Sequence, residues 1–321
     1  MDVRRRKTIA ALLSVLSNTA LVALKVAVGF LTGSVSVMSE AIHSGMDLVA
    51  SFIALFTVRA SGLPADENHP YGHNKLENLA GLAEALLIFV AAIWIIYEAV
   101  YKLFNPIQLD EPVLGVAVMA LSAAANIAVS WYLFRVGKAT DSLALTADAW
   151  HLRTDVWTSA GVMAGLFSIW LGGYIFPDVD LSWLDPAAAL AVALLIMHAA
   201  WRLTMQSIRD LIDESMPANE RRWIVEHLKG MQPVVKGFHG LRTRKAGGVR
   251  FVEFHMQVAA DMHVDESHRV TDQLTGAIQE HFSGSHVLVH IEPCDGICKP
   301  TCAEGCLLDD EERRKISGAG P

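Results

Sequence analysis

No cysteine occurs before residue 294, so neither a disulfide framework nor a cysteine-built zinc module holds the main body of this chain together. Charge is also scarce. Asp, Glu, Lys and Arg make up 19% of the 321 residues against 52% hydrophobic ones, and the mean hydropathy is +0.34, which excludes an ordinary soluble domain. A phosphate loop, a nucleophile elbow and a zinc-protease helix are all missing, so an enzyme is not expected. The net charge of −8 is spread over loops and the C-terminal third and does not point to nucleic acid.

What the chain does have is long apolar runs. Stretches near 8 to 31, 36 to 60, 79 to 104, 112 to 135, 144 to 172 and 185 to 206 each approach the roughly 20 residues needed to cross a bilayer's hydrocarbon core. Basic residues fall at alternate ends: Arg4, Arg5, Arg6 and Lys7, then Arg59 and Lys75, Arg135 and Lys138, and Arg202 and Arg209. The opposite connections carry Asp110, Glu111, Asp178, Asp180 and Asp185. The positive-inside rule then predicts six transmembrane helices with both termini cytoplasmic.

Inside these apolar runs one polar pattern occurs twice, as His43 with Asp47 and as His151 with Asp155. Four residues are about one helical turn, so each histidine and its aspartate share a face. Ionisable groups in apolar spans mark ion or proton paths. Two imidazoles and two carboxylates suit a tetrahedral divalent ion, most naturally zinc. Two neutral histidines and two aspartates carry a formal charge of −2, which Zn²⁺ cancels; in its absence protons are the available counter-ion. Asn18, Lys25 and Asn126 read as snorkelling or interhelical bonding residues.

After about residue 207 the apolar runs stop. Residues 218 to 230 read as a helix, 236 to 245 and 249 to 260 as two strands turning at Gly247-Gly248, 265 to 282 as a helix and 286 to 292 as a strand. This αββαβ order predicts a small α/β domain with its helices on one sheet face. Val252, Phe254, Met256 and Val258 alternate with Glu253, His255 and Gln257, and Val287, Val289 and Ile291 alternate with His290 and Glu292. With His239 and His268 these form a second group of metal-type ligands. Domain limits are expected at 1–207, 208–293 and 294–321. Cys294, Cys298, Cys302 and Cys306, each four apart, fall in the last segment, where Pro300 and Gly305 oppose a helix. That tail reads as disordered and metal-capturing.

Four motifs in order resemble the cation diffusion facilitator family of bacterial zinc transporters: Ser34 to Asp47 with its His43, His69-Pro-Tyr-Gly-His73-Asn-Lys75, Ala147-Asp-Ala-Trp-His151-Leu-Arg-Thr-Asp155, and Leu241-Arg-Thr-Arg244. The resemblance covers about residues 8 to 293. It implies a homodimer in a bacterial inner membrane, with a metallochaperone-like cytoplasmic domain and efflux of Zn²⁺ in exchange for protons. His43, Asp47, His151 and Asp155 would form the transport site, and Asp66, His69 and His73 a second site. His239, His255, His268, His290 and Glu292 would form a binuclear cytoplasmic site, with Glu292 where the family commonly has aspartate. Lys75 and Asp213 would form a charge pair between the two domains. The rival reading is a membrane-bound sensor that binds zinc without moving it.

Overall fold

The computed structural model describes residues 3–32, 35–104, 113–175, 183–295, 302 and 304–317. Asp110, Glu111, Asp178, Asp180, Cys298 and the side chain of Asp185 lie outside the described residues. The chain divides into two compact units, Met1–Leu211 and Ile212–Pro321.

The first unit consists of α1 (Val3–Thr32), α2 (Val35–Ser61), α3 (Lys75–Phe104), α4 (Val113–Thr140), α5 (Leu143–Ile175) and α6 (Leu184–Leu211). Among the described residues, five of these helices are long and apolar enough to cross a membrane. The sixth, α5, has 33 residues. The helices overrun the apolar stretches read from the sequence because a helix continues past the hydrocarbon into the headgroup layer.

Polarity in this unit is inverted relative to a soluble bundle. Phe30, Leu31, Phe56, Trp94 and Phe104 face outward, while Ser14, Asn18, Ser51, Glu84 and Asp148 are buried among Ala10, Ala11, Ala54, Ala144 and Ala149. In lipid, apolar side chains gain little by turning inward, so helices associate through small residues that let backbones approach and through polar bonds between them. At Gly161 of α5, an added methyl would stand 2.6 Å from Val192 Cγ2 of α6. Asn18 Nδ2 donates to Ser51 Oγ at 2.6 Å and Lys25 Nζ to Ser44 Oγ at 2.7 Å, both linking α1 to α2.

At the end where α1 begins and α6 stops, buried Glu77 on the first turn of α3 gathers the helices. Its carboxylate accepts from Lys7 Nζ of α1 at 2.8 Å, from Ser61 Oγ of α2 at 2.9 Å, and from Ser142 Oγ beside the start of α5. Asn78 Nδ2 donates to Asp210 Oδ2 at 3.0 Å and Lys75 Nζ to the Leu211 carbonyl at 3.3 Å, fastening α3 to α6.

The second unit contains α7 (Ala218–Gly230), β1 (Gly237–Ala246), β2 (Val249–Ala259), α8 (Val264–His281), β3 (His286–Cys294) and α9 (Asp310–Ser317). The sheet order is β1-β2-β3. β1 and β2 are antiparallel, joined by the Gly247-Gly248 turn with Gly247 at φ 56, whereas β2 and β3 are parallel. Parallel neighbours require a crossover, and α8 supplies it. Val252, Phe254, Met256 and Val258 of β2 pack with Ile224 and Leu228 of α7 and Val270, Leu274 and Ile278 of α8. The predicted face is therefore the core face, and His255 stands on the other.

The tail expected to be disordered carries structure at residues 304–317. Phe238 N–H donates to the Gly305 carbonyl at 3.0 Å and Leu307 N–H to the Lys236 carbonyl at 3.0 Å. Residues 305–307 thus pair with β1 where its backbone groups would otherwise be an open sheet edge. Leu308 and Cys302 are buried, and the Cys302 thiol lies 3.1 Å from Gln257 Oε1. Main-chain pairing with β1, which no side-chain pattern announces, holds this segment together with the burial of Cys302 and Leu308.

Candidate metal-transport site

The duplicated His-x-x-x-Asp pairs meet across the α2–α5 contact. Donor atoms of His43, Asp47 and Asp155 all lie within 4.8 Å of one another. His43 Nε2 is 4.0 Å from Asp155 Oδ1, and His151 Nε2 is 3.0 Å from Asp47 Oδ1. Each histidine faces the aspartate of the opposite helix, so the two motifs interlock instead of forming separate intrahelical pairs. His151 stands outside the three-residue group and joins it through its bond to Asp47. Asp47 and His151 are buried, whereas the His43 side chain is 55% exposed.

The site opens into a cavity of about 40 Å³ lined by Asn18, Lys25, Ser44, Ser122, Asn126 and Thr158 as well as His43, Asp47 and Asp155. Polar residues first read as interhelical bonding groups therefore also line the approach. Behind the site, Ser51 Oγ contacts the Asp47 carbonyl at 3.1 Å, Ser14 Oγ at 3.1 Å and Asp148 Oδ1 at 3.3 Å.

A second cluster occupies the α2–α3 connection. Asp66 Oδ1 lies 3.1 Å from His69 Nδ1, Asp66 Oδ2 lies 3.3 Å from His73 Nε2, and the two rings are 4.3 Å apart. The backbone N–H of His69 donates to Asp66 at 2.7 Å and is the main reason this carboxyl titrates below its ordinary value.

The third cluster lies on the sheet face opposite the core. His239 and His255 are register partners, as are His255 and His290. Glu292 Oε1 accepts from His255 Nδ1 at 2.8 Å, while Oε2 is 3.5 Å from His239 Nε2. These three residues form a compact donor group. His290 Nε2 is farther, at 3.9 Å from Glu292 Oε1. The Glu292 carboxyl is held below the usual glutamate value, first by the His255 hydrogen bond. With its extra methylene the glutamate carboxylate still reaches both histidines. His268 is not gathered with them: it is exposed on α8, 3.5 Å from Asp272, because its helix packs the apolar sheet face.

Sequence reading passed over Glu77, Glu84 and Asp148, which are all buried. The available signal was that Glu84 and Asp148 are acids within long apolar runs and that Glu77 stands two residues before one.

Residues 11–212 match the family described as the cation efflux transmembrane domain, and residues 216–294 match the cation efflux protein cytoplasmic domain. An uncharacterised transporter, sll1263, of Synechocystis is 36% identical over 285 residues, covering 89% of this chain and 90% of that protein. The cation-efflux pump FieF of Cronobacter sakazakii is 31% identical over 293 residues, covering 91% and 95%. The zinc form of the candidate zinc transporter CzrB aligns with 27% of this chain and 98% of its own at 36% identity, with a TM-score of 0.25. Full-length similarity and both domain matches agree: the chain belongs to the cation efflux, or cation diffusion facilitator, family of metal transporters.

Proposed function

We propose that this protein exports Zn²⁺ from the cytoplasm of a bacterial cell across the inner membrane, exchanging it for protons by alternating access. The observation that carries this reading is the convergence of His43, Asp47 and Asp155 within 4.8 Å, with His151 bonded to Asp47. Two imidazole nitrogens and two carboxylates complete a tetrahedral donor set, and mixed nitrogen and oxygen donors suit zinc better than the all-oxygen sites of magnesium or manganese. His151 and Asp47 are joined by a hydrogen bond where the metal would sit. Metal binding displaces that bond and, from the state in which His151 carries a proton on both ring nitrogens, releases a proton, the elementary step of an antiporter.

Asp66, His69 and His73 would take up a second ion in the connection between α2 and α3. His239, His255 and Glu292, with His290 beside them, would hold zinc that stabilises the homodimer and biases the transport unit toward its active state; His268 would need a further approach to join them. Both termini would be cytoplasmic.

The test is zinc uptake into proteoliposomes under an imposed pH gradient, comparing the native protein with the doubly substituted Asp47→Ala, Asp155→Ala. Gradient-driven uptake in the native protein alone is the expected result. Zinc binding without flux would replace the carrier with a sensor.

A further inference from the structure

Two carboxyl groups close to the transport site are not used by the metal. Asp148 lies on α5 one turn before His151 and is fully buried. Its Oδ1 accepts from Ser51, Ser14 supplies a second hydroxyl, and its Oδ2 has no hydrogen-bond partner from the protein. Glu84 on α3 is also fully buried, and neither of its carboxyl oxygens has a protein partner.

Asp148 is the charged group that acts on Glu84; Asp148 in turn feels Asp47, His151 and Glu84. The remaining surroundings are neutral. α1 contributes Ser14, α2 Ser51, and α4 the apolar Val129, Leu133 and Val136, which pack the same stretch of α5. On the far side, Ala85 and Ile88 next to Glu84 pack against Ala200 and Leu203 of α6. No lysine or arginine among the described residues offsets the pair. Two buried carboxyls that act on one another, with both Glu84 oxygens and Asp148 Oδ2 lacking protein partners, are a costly arrangement in a membrane protein, and such groups persist where they do work.

The placement gives that work a direction. The metal cavity, lined by Lys25, Ser122 and Thr158, lies toward the end of the bundle where α1 stops. Asp148 and Glu84 lie on the other side of the site, toward Glu77. α3 and α6 run antiparallel, with Asn78 on Asp210 and Gly81 facing Ser207, so Thr204 is level with Glu84. Thr204 Oγ1 and Ser207 Oγ are themselves buried without protein partners. Hydroxyls therefore continue from Glu84 toward Asp210.

We propose that Asp148 and Glu84 are a proton-carrying carboxyl pair, through which protons leave the transport site toward the cytoplasmic end of α3 and α6 by a route separate from the metal's cavity. The step is a relay between oxygens: the O–H bond of one carboxylic acid breaks as a proton passes to an intervening water, that water gives one of its own protons to the neighbouring carboxylate, and the last proton passes by way of the α6 hydroxyls to bulk water. Neither residue touches the metal. This inference rests on the proton-exchange reading above.

The experiment loads proteoliposomes of the full chain with a zinc dye and a pH dye and compares the native protein with Glu84→Gln, Asp148→Asn and the conservative Glu84→Asp. The amides mimic neutral acids in size, so folding, followed by thermal unfolding, should survive. Expected are unchanged zinc affinity, a proton-to-zinc ratio lowered by at least about tenfold in the two amide variants, a flattened pH profile of uptake, and partial rescue by Glu84→Asp. Infrared difference spectra on zinc addition should lose a protonated-carboxyl C=O band in Glu84→Gln. A native protein that exchanges protons alongside amide variants with the native ratio and pH profile would overturn the pair alone, as would loss of zinc affinity in those variants. A native protein that moves zinc with no proton counterflow would overturn the exchange reading and the pair with it.

Discussion

In the proposed site Asp47 would have two tasks: offering an oxygen to the metal and holding the ring of His151, which lies 3.0 Å away. Asp47→Asn should therefore abolish zinc uptake, whereas Ser51→Ala, which removes the hydroxyl joining the Asp47 carbonyl to Ser14, Asn18 and Asp148 behind the site, should weaken zinc binding by about tenfold; isothermal calorimetry distinguishes the two. Glu292 gives a pH prediction. Because its carboxyl titrates lower in the folded domain than in an unfolded chain, its contribution to stability is present above the ordinary glutamate range and is lost as pH falls through the lowered folded value. His255→Ala removes the leading cause, so the Glu292 carboxyl carbon resonance should titrate closer to its ordinary position. The duplicated pairs were legible from spacing alone, since one helical turn is a local rule. Their cross-pairing was not, because which histidine meets which aspartate depends on how α2 packs on α5.

α3 is secured at its first turn by Glu77, whose Lys7 partner is 2.8 Å away with both side chains largely buried. Removing one member of such a pair leaves the other uncompensated, so Glu77→Ala should destabilise the bundle by about 3 kcal/mol, seen as a lower thermal midpoint in detergent. The edge segment gives a sharper geometric test. A Cβ added at Gly305 would lie 1.7 Å from the Phe238 carbonyl oxygen, which no side chain tolerates. Gly305→Ala should detach residues 305–307 from β1 and make buried Cys302 react faster with a thiol reagent. Elements were the most readable level of the chain. Apolar runs located the six long helices, and alternation located β2 and β3 with the right faces inward. The exception was residues 305–307, whose pairing with β1 uses backbone groups that no side-chain pattern announces.

The molecule combines a lipid-facing unit, held by small residues and buried polar bonds, with a water-facing unit built on an apolar core. The two should respond differently to metal removal: a chelator should lower the unfolding temperature of the residue 212–321 unit, whose donor group ties separate strands, far more than that of the helices. Differential scanning calorimetry with and without zinc would reveal one mobile and one fixed transition. The parallel pairing of β2 with β3 also bears on biosynthesis. His239 and His255 come together through a local hairpin, but Glu292 reaches them only after α8 has folded back and brought β3 alongside. If this group holds zinc as proposed, a half-made chain leaving the ribosome carries two of its imidazoles without Glu292, and the site would bind metal only once the domain has closed around it.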